Sequence, residues 1–431
     1  MIKVIVILFV SLFFVACAMY PKPIAPDEKA FEKEDINILL ALNAEQTHAY
    51  LTAAQRFEVL YEKSSKKEYL YRALQNYIRA KKYDLTVVKI DAVTKNSLED
   101  KVLARLKIVA LMEMGKLDSA KKLAISLAKT TQDADDYLLT SDVYIKNQEF
   151  DTSLKYLESA YMKEYNEKIL DKMAIILYVN LHRKKDAIAY LETHTRVHGC
   201  SKLICNRLIG IYSNENNIDG LLSVYKRLYS MTKDKAIVKK IVRIYAYKRD
   251  YVKLIDFLEE TQADDEVLLE LYVQGKNYAN ASKLAQKLYE EKSDIRYLGQ
   301  SAIYEYEAKS RNMSQKVLQH VIAKLSKVVK QTNDPLYLNY LGYILIDHDI
   351  DVKKGMSYIH KVLKTNPNSA YYLDSLAWGY YKLHQCDKAK SIMDKVVSME
   401  GSDNPEVMLH VKKINECYKK QVQHKKGKKK K

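Results

Sequence analysis

The chain has 431 residues and a formal charge of +17, yet only 11 glycines and six prolines. No proline lies between Asp27 and Asp334, and apolar residues recur there at helical spacing, which argues against a strand-rich fold and predicts helix throughout. Eight lysines and no acid fall between Lys419 and Lys431, so nearly half of the excess charge is a tail. The rest is spread over mixed-charge helix surfaces, unlike the concentrated basic face of a nucleic-acid-binding domain.

The first segment reads as an address. Met1–Cys17 carries one basic residue (Lys3), an apolar run from Val4 to Val15, and Ala16-Cys17. The run is short for a bilayer span and fits an export signal over 1–16. Phe14-Val15-Ala16-Cys17 resembles the bacterial lipobox, with Phe14 where Leu is usual. That resemblance implies cleavage before Cys17 and lipidation of its thiol and amine, with palmitate among the acyl chains. Ordinary signal cleavage and an uncleaved anchor are the other readings. Ala18, rather than Asp, implies by likeness to Gram-negative lipoproteins an outer-membrane anchor facing the periplasm. Residues 17–32, with Pro21, Pro23 and Pro26, would then be a spacer.

Residues 33–310 read as degenerate helical hairpins in which small residues let paired helices approach. The first covers Lys33–Glu62 around Ala41 and Ala53, and the second covers Tyr69–Ile90 around Ala73 and Thr86. Leu103–Lys129, Asp136–Tyr161, Lys168–Thr193 and Leu203–Tyr229 follow, then the shorter Ile237–Glu260 and Val267–Glu290. A helix near Asp294–Lys309 and a longer one near Ser314–Lys330 lead into the clearest stretch.

That stretch, within residues 311–401, contains two tandem units. The first is Leu338-x2-Leu341-Gly342-x2-Leu345, then Gly355-x3-Ile359, closing at Pro367; the second is Leu373-x2-Leu376-Ala377-x2-Tyr380, then Ala389-x3-Met393, closing at Gly401. Pro367 and Gly401 lie 34 residues apart, and the pattern resembles the tetratricopeptide repeat. Leu373 departs from the usual Trp, Gly401 from the usual Pro, and the first copy needs an extra residue near Asp347–Asp351. The resemblance implies an all-α, tetratricopeptide-like right-handed superhelical solenoid. About eleven hairpins are expected, with a capping helix over 402–421 that covers the last one through Val407, Val411 and Ile414. A Lys-rich tail, 422–431, is expected to stay unfolded.

By the same resemblance, Asn339, Tyr343, Ile346, Tyr371, Asp374, Trp378 and Tyr381 fall on groove-lining positions and form the candidate protein-binding site. Trp378, the single tryptophan, is either a binding anchor or a packing residue. Four cysteines remain beside Cys17. Cys386, in the last turn, and Cys417, late in the cap, should end at the same level; a disulfide is the expectation in an exported protein, with two buried free thiols as the other reading. Cys200 and Cys205 form a second candidate pair. With His194 and His198 they also make a His-x3-His-x-Cys-x4-Cys string, read as a helix end with a local disulfide in preference to a zinc site, so no metal is assigned.

No phosphate loop, nucleophile elbow, zinc-protease helix or dinucleotide motif is present, so neither an enzyme nor a cofactor is expected. The expectation is a lipid-anchored periplasmic scaffold for protein partners in envelope assembly. Its rival is a structural spacer whose Lys tail contacts lipopolysaccharide, peptidoglycan or another acidic polymer.

Overall fold

The computed structural model describes residues 29–95, 99–309, 313–400 and 404–428, with the side chains of residues 400 and 424–428 left out. Within these residues the protein is all-α. The chain divides into two compact units at Val224/Tyr225. The expected boundary at 310/311 lies outside the described residues.

The N-terminal unit holds paired helices. They are α1 (Glu34–Gln46) with α2 (Tyr50–Ser64), α3 (Lys67–Arg79) with α4 (Tyr83–Thr94), and α5 (Lys101–Glu113) with α6 (Leu117–Thr131). Then come α7 (Ala134–Lys146) with α8 (Phe150–Glu164), and α9 (Glu167–Ile175) with α10 (Lys184–His198). Residues Ile176–Asn180 prolong α9 as a π-helical turn. Next is α11 (Lys202–Asn214); α12 (Ile218–Thr232) contains the division between units.

The C-terminal unit continues with α13 (Lys235–Lys248), α14 (Tyr251–Thr261), α15 (Asp265–Gln274) and α16 (Tyr278–Lys292). It then holds α17 (Ile295–Lys309), α18 (Gln315–Gln331), α19 (Pro335–Asp347), α20 (Val352–Leu363), α21 (Ala370–Lys382) and α22 (Cys386–Glu400). The last helix is α23 (Pro405–Lys428), longer than the expected cap. Residues 422–428, expected to be unfolded, continue it. Asn404 caps its first turn with a bond to the Glu406 N–H (2.9 Å), and Gln421 reaches Asp387 on α22. Lysine is a good helix former and suits the negative end of the helix dipole, which offsets the repulsion of the run.

A recurring turn sets the repeat. Between the two helices of successive hairpins, His48, Lys81, Gly115, Gln148, His182, Asn216 and Arg249 all adopt positive φ, at intervals of 33 or 34 residues. Most of these turns also carry a bond from the N–H after the left-handed residue back to a carbonyl five residues earlier. Examples are Ala49 to Ala44 (2.8 Å), Lys82 to Tyr77 (2.8 Å), Glu149 to Tyr144 (2.9 Å) and Gln385 to Tyr380 (2.9 Å). This closure satisfies carbonyls that the helix end leaves unpaired. Asp349 performs the role between α19 and α20, with one additional residue before α20 begins.

Packing then follows from small residues. Ala41, Ala53, Ala120, Ala187 and Ala281 are fully buried at their hairpin contacts. Where α19 crosses α20 the two backbones touch: a Cβ on Gly355 would lie 2.6 Å from the Gly342 carbonyl oxygen, and one on Gly342 would lie 2.9 Å from that of Gly355. Around this crossing Ile346, Met356, Ile359, Leu376 and Trp378 form one core cluster. Ile414 of α23, flanked by Val407 and Val411, packs with Ala377, Ala389, Met393 and Val396. In the N-terminal unit, successive first helices are also joined by ion pairs. These are Arg72–Glu45 (2.6 Å), Arg105–Asp136 (2.6 Å), Arg207–Asp171 (2.6 Å), and Lys172–Asp142.

Candidate protein-binding face

Helical spacing on α19 places Asn339, Tyr340, Tyr343 and Asp347 along one side, because residues three and four apart share a face. The neighbouring first helices add Tyr306 and Glu307 from α17, and Tyr371, Asp374 and Trp378 from α21. Helix α23 adds Glu406 and His410. The Tyr340 hydroxyl donates to Glu307 Oε1 (3.2 Å), Tyr306 OH pairs with His348 Nε2 (3.3 Å), and the Tyr343 hydroxyl donates to Glu406. The Trp378 indole N–H donates to Asp347 Oδ1 (2.9 Å), while Lys382 Nζ sits on the Asp347 carbonyl (2.6 Å) and the Asp349 carboxylate (2.7 Å).

Burial dominates the electrostatics. It pushes the Tyr306, Tyr340 and Tyr343 hydroxyls well above the ordinary phenol range, with neighbouring Glu307, Asp347 and Glu406 adding to the shift. These phenols therefore remain neutral donors. Burial also raises the Tyr371 hydroxyl, against which Tyr340 and Asn339 act. The Glu307 carboxyl is raised by burial, and the charge of Glu406 works in the same direction despite the Tyr340 hydrogen bond. A desolvated carboxylate beside another carboxylate is costly to ionise.

Of the seven candidate groove residues, only Tyr371 is broadly exposed, at 48%. Tyr343 and Tyr381 are half-buried, while Asn339, Ile346, Asp374 and Trp378 are buried. Ile346 packs in the core with Met356, Ile359 and Leu376, and Asp374 and Trp378 lie under α23. His410, itself buried, stacks on the Trp378 ring (4.0 Å between centroids) and holds Asp374 through Nδ1 (2.9 and 3.0 Å). Tyr381 stacks beside the same indole (4.6 Å). Trp378 is thus a packing residue under the chain's own last helix. Sequence reading missed Tyr306, Glu307, Tyr340, Glu406 and His410; the i, i+4 spacing of Glu406 and His410 was the available signal for a polar side of α23.

The cysteines come together in two pairs. Cys386 and Cys417 form a disulfide with Cα atoms 5.7 Å apart, joining the start of α22 to α23. Cys200 and Cys205 form another across the start of α11 (5.4 Å). The nearby histidines have other partners. His194 is buried, with Nδ1 on the Tyr161 hydroxyl (2.6 Å) and Nε2 near Glu167 (3.3 Å), and the His198 ring lies 4.7 Å from that of His194. Among the described residues no group of three His, Cys, Asp or Glu is placed to hold a metal ion. Tyr161, Met162, Tyr165, Val197 and His198 instead line an apolar cavity of about 950 Å³ between α8 and α10. The Cys17 expectation lies outside the described residues, among which no helix is long and apolar enough to cross a membrane.

No family model and no curated protein matches the chain. Solved structures align over most of it at low similarity. The APC/C hetero-tetramer Cut9–Hcn1 is 13% identical, with 89% of this chain and 97% of that one covered, at a TM-score of 0.39. Naa15/Naa10 bound to HypK-THB is 13% identical, covering 78% and 64%, at 0.34. Yeast Tom70 is 11% identical, covering 91% and 97%, at 0.33. The architecture rests on the turn geometry and helix packing of the chain itself.

Proposed function

We propose that this chain is a scaffold that binds protein partners on the first-helix face of its C-terminal unit. The carrying observation is that face: three successive first helices, α17, α19 and α21, bring Tyr306, Tyr340, Tyr343 and Tyr371 together beside carboxylates, with Tyr371 still 48% exposed. Rigid aromatics with a polar tip give contact area at low entropic cost and are enriched among binding anchors. We also propose that the scaffold works in the bacterial envelope, held at the periplasmic face of the outer membrane through lipid on Cys17. There it would serve outer-membrane protein, pilus or cell-wall machinery. The signal-like Met1–Cys17 segment supports this placement.

A photo-crosslinker at Tyr371 tests the binding reading in cells. Capture of a discrete protein, lost when Tyr340 is changed to Ala, is expected; adducts with glycan or lipid and no protein would sink it. Metabolic palmitate labelling and membrane fractionation test the anchor. Both signals should disappear in Cys17→Ala, and a wild-type chain without label would refute lipidation.

A further inference from the structure

We infer that the Tyr371 face takes an extended segment of a partner protein and selects it through a lysine or arginine side chain. This rests on the protein-binding reading above and adds a charge rule to it. In a chain of formal charge +17, this face is negative. Asp347 and Glu406 are oriented by neutral donors, the Trp378 indole N–H and the Tyr343 hydroxyl, and among the described residues neither carboxylate has a Lys or Arg ion pair. Lys382 is engaged by the Asp349 carboxylate and the main-chain carbonyl of Asp347. Neutral donors fix a carboxylate's position and leave its charge in place.

A second observation points to the ligand's backbone. The Asn339 side chain is fully buried; its amide N–H faces the Tyr371 hydroxyl without a well-formed bond, and its oxygen has no hydrogen-bond partner among the described residues. It shares a stripe of α19 with Tyr343. A buried carboxamide paired so poorly is costly, and an extended peptide that moves Tyr371 aside offers both an N–H and a C=O to satisfy it. The tyrosine rings suit the flanking cation, since an ammonium or guanidinium over an aromatic face is attracted to it. An acidic segment would meet repulsion in the same place.

The test uses the purified full-length protein and short fluorescein-labelled peptides that are identical except for lysine, serine or glutamate at the charged positions. The lysine peptide should bind about tenfold more tightly than the glutamate peptide, with an advantage that shrinks as salt is added. Glu406→Gln, which keeps an acceptor for Tyr343, should weaken the lysine peptide about fivefold and leave the serine peptide unchanged. Asn339→Leu should weaken the lysine and serine peptides while raising the unfolding temperature, a combination that a purely structural role for Asn339 would not give. Equal binding of the three peptides, or binding of none, overturns the inference. Self-association abolished by deleting Lys425–Lys431 would place the chain's own tail there and also overturn it. A crosslinked protein at Tyr371 without any lysine preference would leave the scaffold reading standing and remove the charge rule.

Discussion

The two units join their successive first helices in different ways. In the N-terminal unit, Arg72–Glu45, Arg105–Asp136 and Arg207–Asp171 link one first helix to the next, so carboxylates meet guanidinium forks. In the C-terminal unit, α17, α19 and α21 are linked largely by neutral donors, the Tyr340 hydroxyl to Glu307 and the Trp378 indole to Asp347. The first arrangement neutralises a surface and fixes register between repeats. The second arrangement leaves a polar, aromatic surface with a net field. The same repeat geometry therefore supports a closed face and a receptive one, and the choice is made by what donates to the carboxylates.

The sharpest way to break the C-terminal arrangement is at its closest crossing. Gly355→Ala puts a methyl 2.6 Å from the Gly342 carbonyl, so α20 must move away from α19. Overpacking of this kind should cost about 3 kcal/mol, read as a lower urea midpoint for the C-terminal unit. A midpoint within error of wild type would show that the crossing is not close. The staple on α23 comes next. Removing Cys417 as Cys417→Ser opens a loop spanning 31 residues, with an expected loss of about 2–3 kcal/mol under oxidising conditions and none in reductant. Equal stability in both conditions would count against the disulfide.

On the N-terminal side, Asp136→Asn should cost about 2 kcal/mol, because Arg105 keeps partial contact with water after losing its partner. The pH dependence should differ between the units. Burial pulls the Asp136 carboxyl upward, but Arg105 and Thr131 overrule it, and Arg105 hydrogen bonding thereby holds it below its ordinary value. Its stabilisation is present above the unfolded pKa, about 3.9, and is lost as pH falls through the lower folded value. Asp136→Asn should therefore flatten the acid limb of the N-terminal unit, and an unchanged limb would argue against the pair.

Glu307 has the opposite sign. Its folded pKa is raised, so ionisation penalises the fold as pH rises past the unfolded value. Glu307→Gln should raise the stability of the C-terminal unit at neutral pH by less than about 1 kcal/mol, a small gain because the group keeps some contact with solvent. A loss of stability in this variant would mean that its hydrogen bonds outweigh the burial cost.

Some of this was readable from the residues alone. Gly342, Gly355, Ala377 and Ala389 announced the last two hairpins because only small residues permit that approach, and Val407, Val411 and Ile414 marked the apolar side of α23. The 33–34-residue turn period in the N-terminal unit was hidden. Most of its left-handed positions are held by residues such as His48, Lys81, Gln148 and His182, which do not advertise positive φ as Gly115 does. The candidate face was half legible. Tyr343 and Tyr371 lie on it, but the fate of Trp378 depended on a histidine of α23 packing on α21, a contact that no spacing within α21 encodes.

The disulfide between Cys386 and Cys417 has one more consequence. In a tandem array each hairpin leans only on its neighbours, so an unprotected end frays first and melting can travel inward from either side. Tying α23 to α22 closes that route at the C-terminal end of its unit. Oxidation then keeps the tyrosine-lined end of the unit from being the first part to open.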